Sequence, residues 1–339
     1  MKSNLAGVKI DYRRGYYAPA DYQHSTKDDK ERQLEEELAS ELPTTDLPLY
    51  LSVSYFRLEN NKFFVPITLV VPGSQIPFVR SSDRDKATLD VIGMVLDGEQ
   101  NPLNRIRDTV KLEVSSSTEV QKKNVQYETG MSLLSGKYHL KFVVRENQTG
   151  RMGSFETDID VPDLKPQPLK MSSVVLASQT QTAKKGKNLN PLVREGSEII
   201  PNVTHVFSAT QHLLLYCEVY DPARPAAPNS TNGADSARIT DSAKSSDSKS
   251  RDNKSSIRLL SNVAFFQGKA KTYQSSLVEL TELNARERKA AVFQLDVPLA
   301  PLKPGFYTCQ VNVIDDAGGR FLFPRLALLI RAESATAGR

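Results

Sequence analysis

One phrase occurs twice in this chain. Residues 136–144 read Gly-Lys-Tyr-His-Leu-Lys-Phe-Val-Val, and residues 305–313 read Gly-Phe-Tyr-Thr-Cys-Gln-Val-Asn-Val. In each copy a glycine-containing turn leads to a tyrosine and then to apolar residues at every second position. Tyr138, Leu140, Phe142 and Val144, and likewise Tyr307, Cys309, Val311 and Val313, therefore share one face of a strand. A tyrosine so placed marks the tyrosine corner of an immunoglobulin-like sandwich, where the phenol closes the turn before the penultimate strand. Corners at Tyr138 and Tyr307 predict an all-β chain of two tandem immunoglobulin-like or fibronectin III-like β-sandwiches. The pattern speaks to architecture and is silent on chemistry.

At 339 residues, 39% apolar and 25% charged, the chain is long enough for two domains with cores of their own. The formal charge of +4 is spread along the sequence apart from small clusters such as Lys184, Lys185 and Lys187, so nucleic-acid binding is not indicated. No run reaches the roughly 18 apolar residues a membrane span needs, and residues 1–8 lack the apolar core of a signal peptide. Read from Met1 alone, the product stays in the cytoplasm.

Residues 7–19 begin as an edge strand in need of a sheet, with no obvious partner nearby. Residues 26–42 turn helical, with Asp28, Asp29 and Glu31 suited to the helix dipole and Pro43 as a stop. The apolar stripe Leu34, Leu38 and Leu42 is one residue wide, which predicts a linker helix within residues 26–46 that rests on a neighbour.

The first sandwich is expected over residues 47–163, with strands at 49–56, 63–71, 87–96, 107–114, 125–133, 138–145 and 153–161. Lys141, Arg145, Arg151 and Glu156 read as a wetted sheet face. A Pro-rich connector at 164–168 separates it from a second sandwich over 169–331, with strands at 172–177, 203–207, 212–220, 258–266, 277–283, 291–297, 306–314 and 320–330. Residues 221–256 carry almost no large apolar side chain and are expected to be a disordered loop expansion, as are residues 332–339 at the tail.

Cys217 and Cys309 are the two cysteines, both on inward phases of strands in the B and F positions. Tyr307 stands two residues before Cys309, the spacing at the second cysteine of antibody-type domains, so a bridge across the sandwich is one reading. Two buried free thiols is the other, because Leu69 and Leu140 fill comparable positions in the first repeat and the chain has no Trp to pack on a bridge. A metal site is disfavoured, since two cysteines without nearby His cannot complete a zinc shell. His24, His139, His205 and His212 lack metal spacing, and no nucleophile elbow, phosphate loop or dinucleotide fingerprint occurs. Asp315-Asp316 before Ala-Gly-Gly reads as a hairpin turn rather than a calcium loop.

Residues 12–19, Tyr-Arg-Arg-Gly-Tyr-Tyr-Ala-Pro, resemble the closing strand of von Willebrand factor A-type domains in the acidobacterial family of VWFA-related proteins. Residues 170–176, 190–196, 200–204 and 216–221 are similar to the region C-terminal to that domain in the same proteins, so the resemblance covers nearly the whole chain. It implies that residues 1–25 are a remnant of the A domain, whose DxSxS metal-site motif is missing here. It further implies an extracytoplasmic location, periplasmic or secreted, which would permit the Cys217–Cys309 bridge.

The resulting expectation is a non-catalytic structural or protein-interaction module with no cofactor and no metal. Its partner would be a protein, of which the missing A domain is one candidate. The alternative is an accessory carbohydrate- or surface-binding module, which exposed aromatics gathered on one sheet would favour; Tyr50, Tyr127, Tyr273 and Phe266 are the candidates.

Overall fold

Alternating apolar side chains make strands here because a pleated sheet sends successive residues to opposite faces. The computed structural model describes residues 19–183, 186, 189–224 and 257–332, and within them the protein is all-β with short helical insertions. The expected opening strand, residues 225–256 of the insert and residues 333–339 lie outside the described residues.

The chain divides into two compact units, residues 1–166 with 175–205, and residues 167–174 with 206–339. In the first, β1 (Tyr50–Val53) and β2 (Phe56–Glu59) pair with β3 (Lys62–Pro72). A second sheet starts with β4 (Val79–Ser81), β5 (Arg84–Asp97) and β6 (Pro102–Val114). β7 (Asn124–Leu134) returns to β3, while β8 (Gly136–Glu146) pairs with β5 and β9 (Met152–Val161) with β8. The inward residues Val65, Ile67, Leu69, Leu140, Phe142 and Val144 are all buried.

After the connector, β10 (Lys170–Met171) belongs to the second unit, whereas β11 (Val175–Thr182), β12 (Val193–Arg194) and β13 (Ser197–Pro201) pair antiparallel in the order β11-β13-β12 and are grouped with the first. The second unit continues with β14 (Val206–Ser208), β15 (His212–Tyr220), β16 (Leu259–Gln267), β17 (Ala270–Gln274), β18 (Val278–Leu280) and β19 (Ala290–Pro298). It closes with β20 (Gly305–Asp315), β21 (Arg320–Leu322) and β22 (Arg325–Arg331). One of its sheets pairs β15 with β10 and β19; the other runs β14-β22-β20-β16-β17. The repeated phrase thus occupies β8 and β20, and the ladders around it recur: β3–β7 with β5–β8 in one unit, β15–β19 with β16–β20 in the other.

Helix α1 (Lys27–Ala39) rests on the first unit. Thr26 caps it by accepting from the Asp29 amide at 3.1 Å, and Leu34 and Leu38 are buried against Ile92, Val143, Met94 and Met152. The helix therefore lies across the outer face of the β5–β8 pair. Lys141 and Arg145, expected on a wetted face, are 8% and 2% exposed. The physical reason is that Val143 and Ile92 make that face partly apolar, and a narrow stripe of two leucines suffices to cover it. Full burial of each leucine stabilises the docking by about 1.5–3 kcal/mol.

Candidate interaction surfaces

The two corners have the same geometry. Tyr138 Oη donates to the Leu134 carbonyl at 2.9 Å, and Tyr307 Oη to the Lys303 carbonyl at 2.8 Å, each four residues upstream. Beside the first lies a cleft of 480 Å³ lined by residues that include Asp97, Lys137, His139, Asp158 and Asp160. His139 Nδ1 sits 2.8 Å from Asp158, and the Asp97 carboxylate accepts from the amides of Glu99 and Asn101.

Cys217 on β15 and Cys309 on β20 are buried free thiols, so the bridge is not formed in this structure. Burial, reinforced at Cys217 by the Glu218 charge, pushes both thiols up to about 12. Such thiols are poor nucleophiles and poor metal ligands at neutral pH. Asp315 is fully buried and accepts from the Ala223 and Gly318 amides at 2.9 and 3.2 Å, while Asp316 pairs with Arg258 at 2.8 Å. The Asp-Asp pair is therefore spent on its turn. Among the described residues no group of His, Cys, Asp and Glu is arranged to hold a metal ion, and no helix is long and apolar enough to cross a membrane.

Two buried ionic clusters escaped sequence reasoning. In the first unit Arg145 donates to Asp90 at 2.8 Å and to Asn147 at 3.2 Å, and it also bonds the Lys30 carbonyl of α1. Thr109 Oγ1 donates to the same aspartate at 2.8 Å. Arg107 grips Glu31 of the helix at 2.9 and 3.1 Å. Tyr22 donates to Asn147 at 2.7 Å and lies under both Lys30 and Arg145. Burial works against ionisation of Asp90, but hydrogen bonds from Arg145, Asn147 and Thr109 prevail and hold its carboxyl below the usual range. In the second unit the fully buried Glu218 accepts from Tyr216 at 2.7 Å, Tyr220 at 2.8 Å and Arg288 at 2.8 Å. Both clusters join segments remote in sequence. The signal available beforehand was an ionisable residue inside an apolar run: Asp90 between Leu89 and Val91, Glu218 between Cys217 and Val219.

The four aromatics named from sequence do not converge. Tyr50 stands opposite Val70 and Tyr127 opposite Leu69, adjacent residues of β3, so the two rings leave opposite faces of the sheet. Tyr273 is opposite Phe265 and Phe266 opposite Lys271, with the same result. A different set shares the outer face of the β20 sheet, Phe306 at one end and Phe321 with Phe323 at the other. Phe306, Phe321 and Phe323 are 78%, 61% and 44% exposed, and the last two stack at 5.3 Å. Between the ends of this face runs a row of amides: Arg325 donates to Gln310 at 2.8 Å, Gln310 to Asn312 at 2.8 Å, and Asn312 to Asn262 at 2.7 Å. The sequence signal was aromatic residues at 321 and 323, in alternation beside the last turn.

No protein-family model matches the chain, and no curated protein does. Among solved structures, a glycosyl hydrolase family 2 member from Bacteroides cellulosilyticus is 15% identical with a TM-score of 0.25, over 35% of this chain and 15% of that one. The putative ApaA protein from Bordetella pertussis is 12% identical with a TM-score of 0.24, over 35% of this chain and 98% of that one. A biofilm-associated protein BSP domain is 10% identical with a TM-score of 0.20, over 85% of this chain and 60% of that one. The protein thus spans under a sixth of the length of the first of these, and similarity this low adds nothing to what the strands themselves show.

Proposed function

We propose that the chain is a non-catalytic structural or protein-interaction module, and that it forms the C-terminal part of an exported VWFA-related protein. The observation that carries the reading is the use made of the buried charges. Asp90, Arg145, Glu218 and Arg288 are spent on joining elements to one another, each satisfied by internal partners. Helix α1 is likewise spent internally, sealed on the first unit through Leu34 and Leu38. The resemblance of residues 12–19 to the last strand of an A domain names that domain and, with it, the extracytoplasmic location.

Two experiments test this. Translation of the genomic DNA upstream of Met1 should yield an A domain in frame behind a signal peptide; a stop codon directly upstream would remove the VWFA assignment. The purified chain should show no turnover of ester, phosphoester, glycoside or peptide substrates with Mg²⁺, Ca²⁺ or Zn²⁺ added. Saturable turnover abolished by a point substitution would overturn the non-catalytic reading.

A further inference from the structure

The outer face of the β20 sheet has no part in the module's internal joints, and its chemistry points to a ligand. On β20 the residues Phe306, Thr308, Gln310, Asn312 and Ile314 share that face. Register continues it onto neighbouring strands: Phe306 opposes Leu329, which opposes Val206, and at the far end Ile314 opposes both Leu260 and Phe321. The face is therefore apolar and aromatic at each end and polar in the middle. Eight residue steps separate Phe306 from Ile314, a length of about 26 Å at strand spacing.

We propose that this face binds an extended polysaccharide chain. A pyranose ring offers an apolar C–H face and a rim of hydroxyls that both donate and accept. Exposed phenyl rings match the first, and amides match the second. The amides are oriented in advance, because Gln310 accepts from Arg325 and donates to Asn312, and Asn312 accepts from Gln310 and donates to Asn262; each keeps a second N–H and a second carbonyl lone pair for a ligand. Pre-organisation of this kind lowers the ordering cost of binding.

The composition of the face argues against the other macromolecules. An apolar protein surface would strip water from the amide row without replacing its hydrogen bonds, which is costly, whereas a hydroxyl-rich ligand replaces them directly or through water. A nucleic-acid strand needs cations along its backbone, and of those that register places beside this row, Arg325 is turned onto Gln310 and Lys271 onto Gln274. The proposal rests on residues distinct from those that carry the module reading, so either can fail alone.

The test is native gel electrophoresis of the full chain through xylan, mixed-linkage β-glucan or alginate, together with co-sedimentation on cellulose and chitin. At least one polysaccharide should retain the protein. Phe306→Ala and the double change Phe321→Ala with Phe323→Ala should each weaken retention by tenfold or more, with circular dichroism and melting temperature unchanged because the rings are exposed. Phe155→Ala, an exposed ring of the first unit, should leave it intact. If the double variant fails to fold, Phe306→Ala on its separate strand still decides the matter. Retention by none of the five polysaccharides, or retention that survives every face variant, would overturn the proposal. So would tighter binding of a 20-nucleotide oligo-dT that the same variants abolish.

Discussion

Arg145 and Asp90 stand directly opposite each other on β8 and β5, joined at 2.8 Å beneath helix α1 with the arginine side chain 2% exposed. A pair this deep need not exceed an apolar pair in stability, but breaking it strands a charge without solvent. Its placement under the helix makes it a test of whether α1 belongs to the fold.

Replacing Arg145 with Ala should destabilise the first unit by about 3–5 kcal/mol, the range for removing one partner of a buried ion pair. Urea unfolding followed by circular dichroism measures this. A double-mutant cycle with Asp90→Ala should return a coupling energy above about 1 kcal/mol; additivity of the two changes would show that the pair is not a unit.

Leu34 is fully buried under the helix. Leu34→Ala should cost about 2–5 kcal/mol. Hydrogen exchange is the sharper readout. If α1 is an integral element, its amides should exchange much faster in the variant while those of β15 and β20 keep their protection.

Asp90 sets an acid dependence. Its folded value lies below the ordinary carboxylate value of ~3.9, so its stabilising contribution is complete above that value and is lost as pH falls through the folded one. The stability gap between wild type and Asp90→Asn should therefore be constant from pH 7 to 5, begin to shrink below about pH 4 as the unfolded chain takes up the proton, and close only below the lower folded value, where both carry an uncharged side chain. Melting temperatures across that series check it.

The corner hydrogen bonds of Tyr138 and Tyr307 can be removed with little change in volume. Tyr138→Phe and Tyr307→Phe should each cost about 0.5–1.5 kcal/mol, the net worth of one such bond. Equal losses would support equivalent corners, and no loss at either would deny them a structural role.

With thiols raised to about 12 by burial, Cys217 and Cys309 should resist Ellman's reagent in native buffer at pH 8. Both should react once urea unfolds the chain without reductant. A urea-unfolded sample that stays unreactive until reduced would establish the bridge instead.

The longer strands and the paired corners could be read from sequence because their signals are local. Period-two alternation and a glycine two residues before a tyrosine need no knowledge of distant residues. The burial of Lys141 and Arg145 could not be read that way. Their charges and alternation suit solvent equally well, and what covers them is a helix about a hundred residues earlier, whose two leucines make a weak amphipathic signal. The outer face of the second unit was hidden for a related reason. Phe306 and Phe321 are single exposed aromatics in the sequence, and only the strand register places them on one surface with Gln310 and Asn312 between. The sequence by itself thus determined where the longer strands run and where each repeat turns, since backbone geometry imposes those periods residue by residue. The tertiary structure alone decided which charges were buried and which rings met, because burial and convergence are relations between segments that no local pattern encodes.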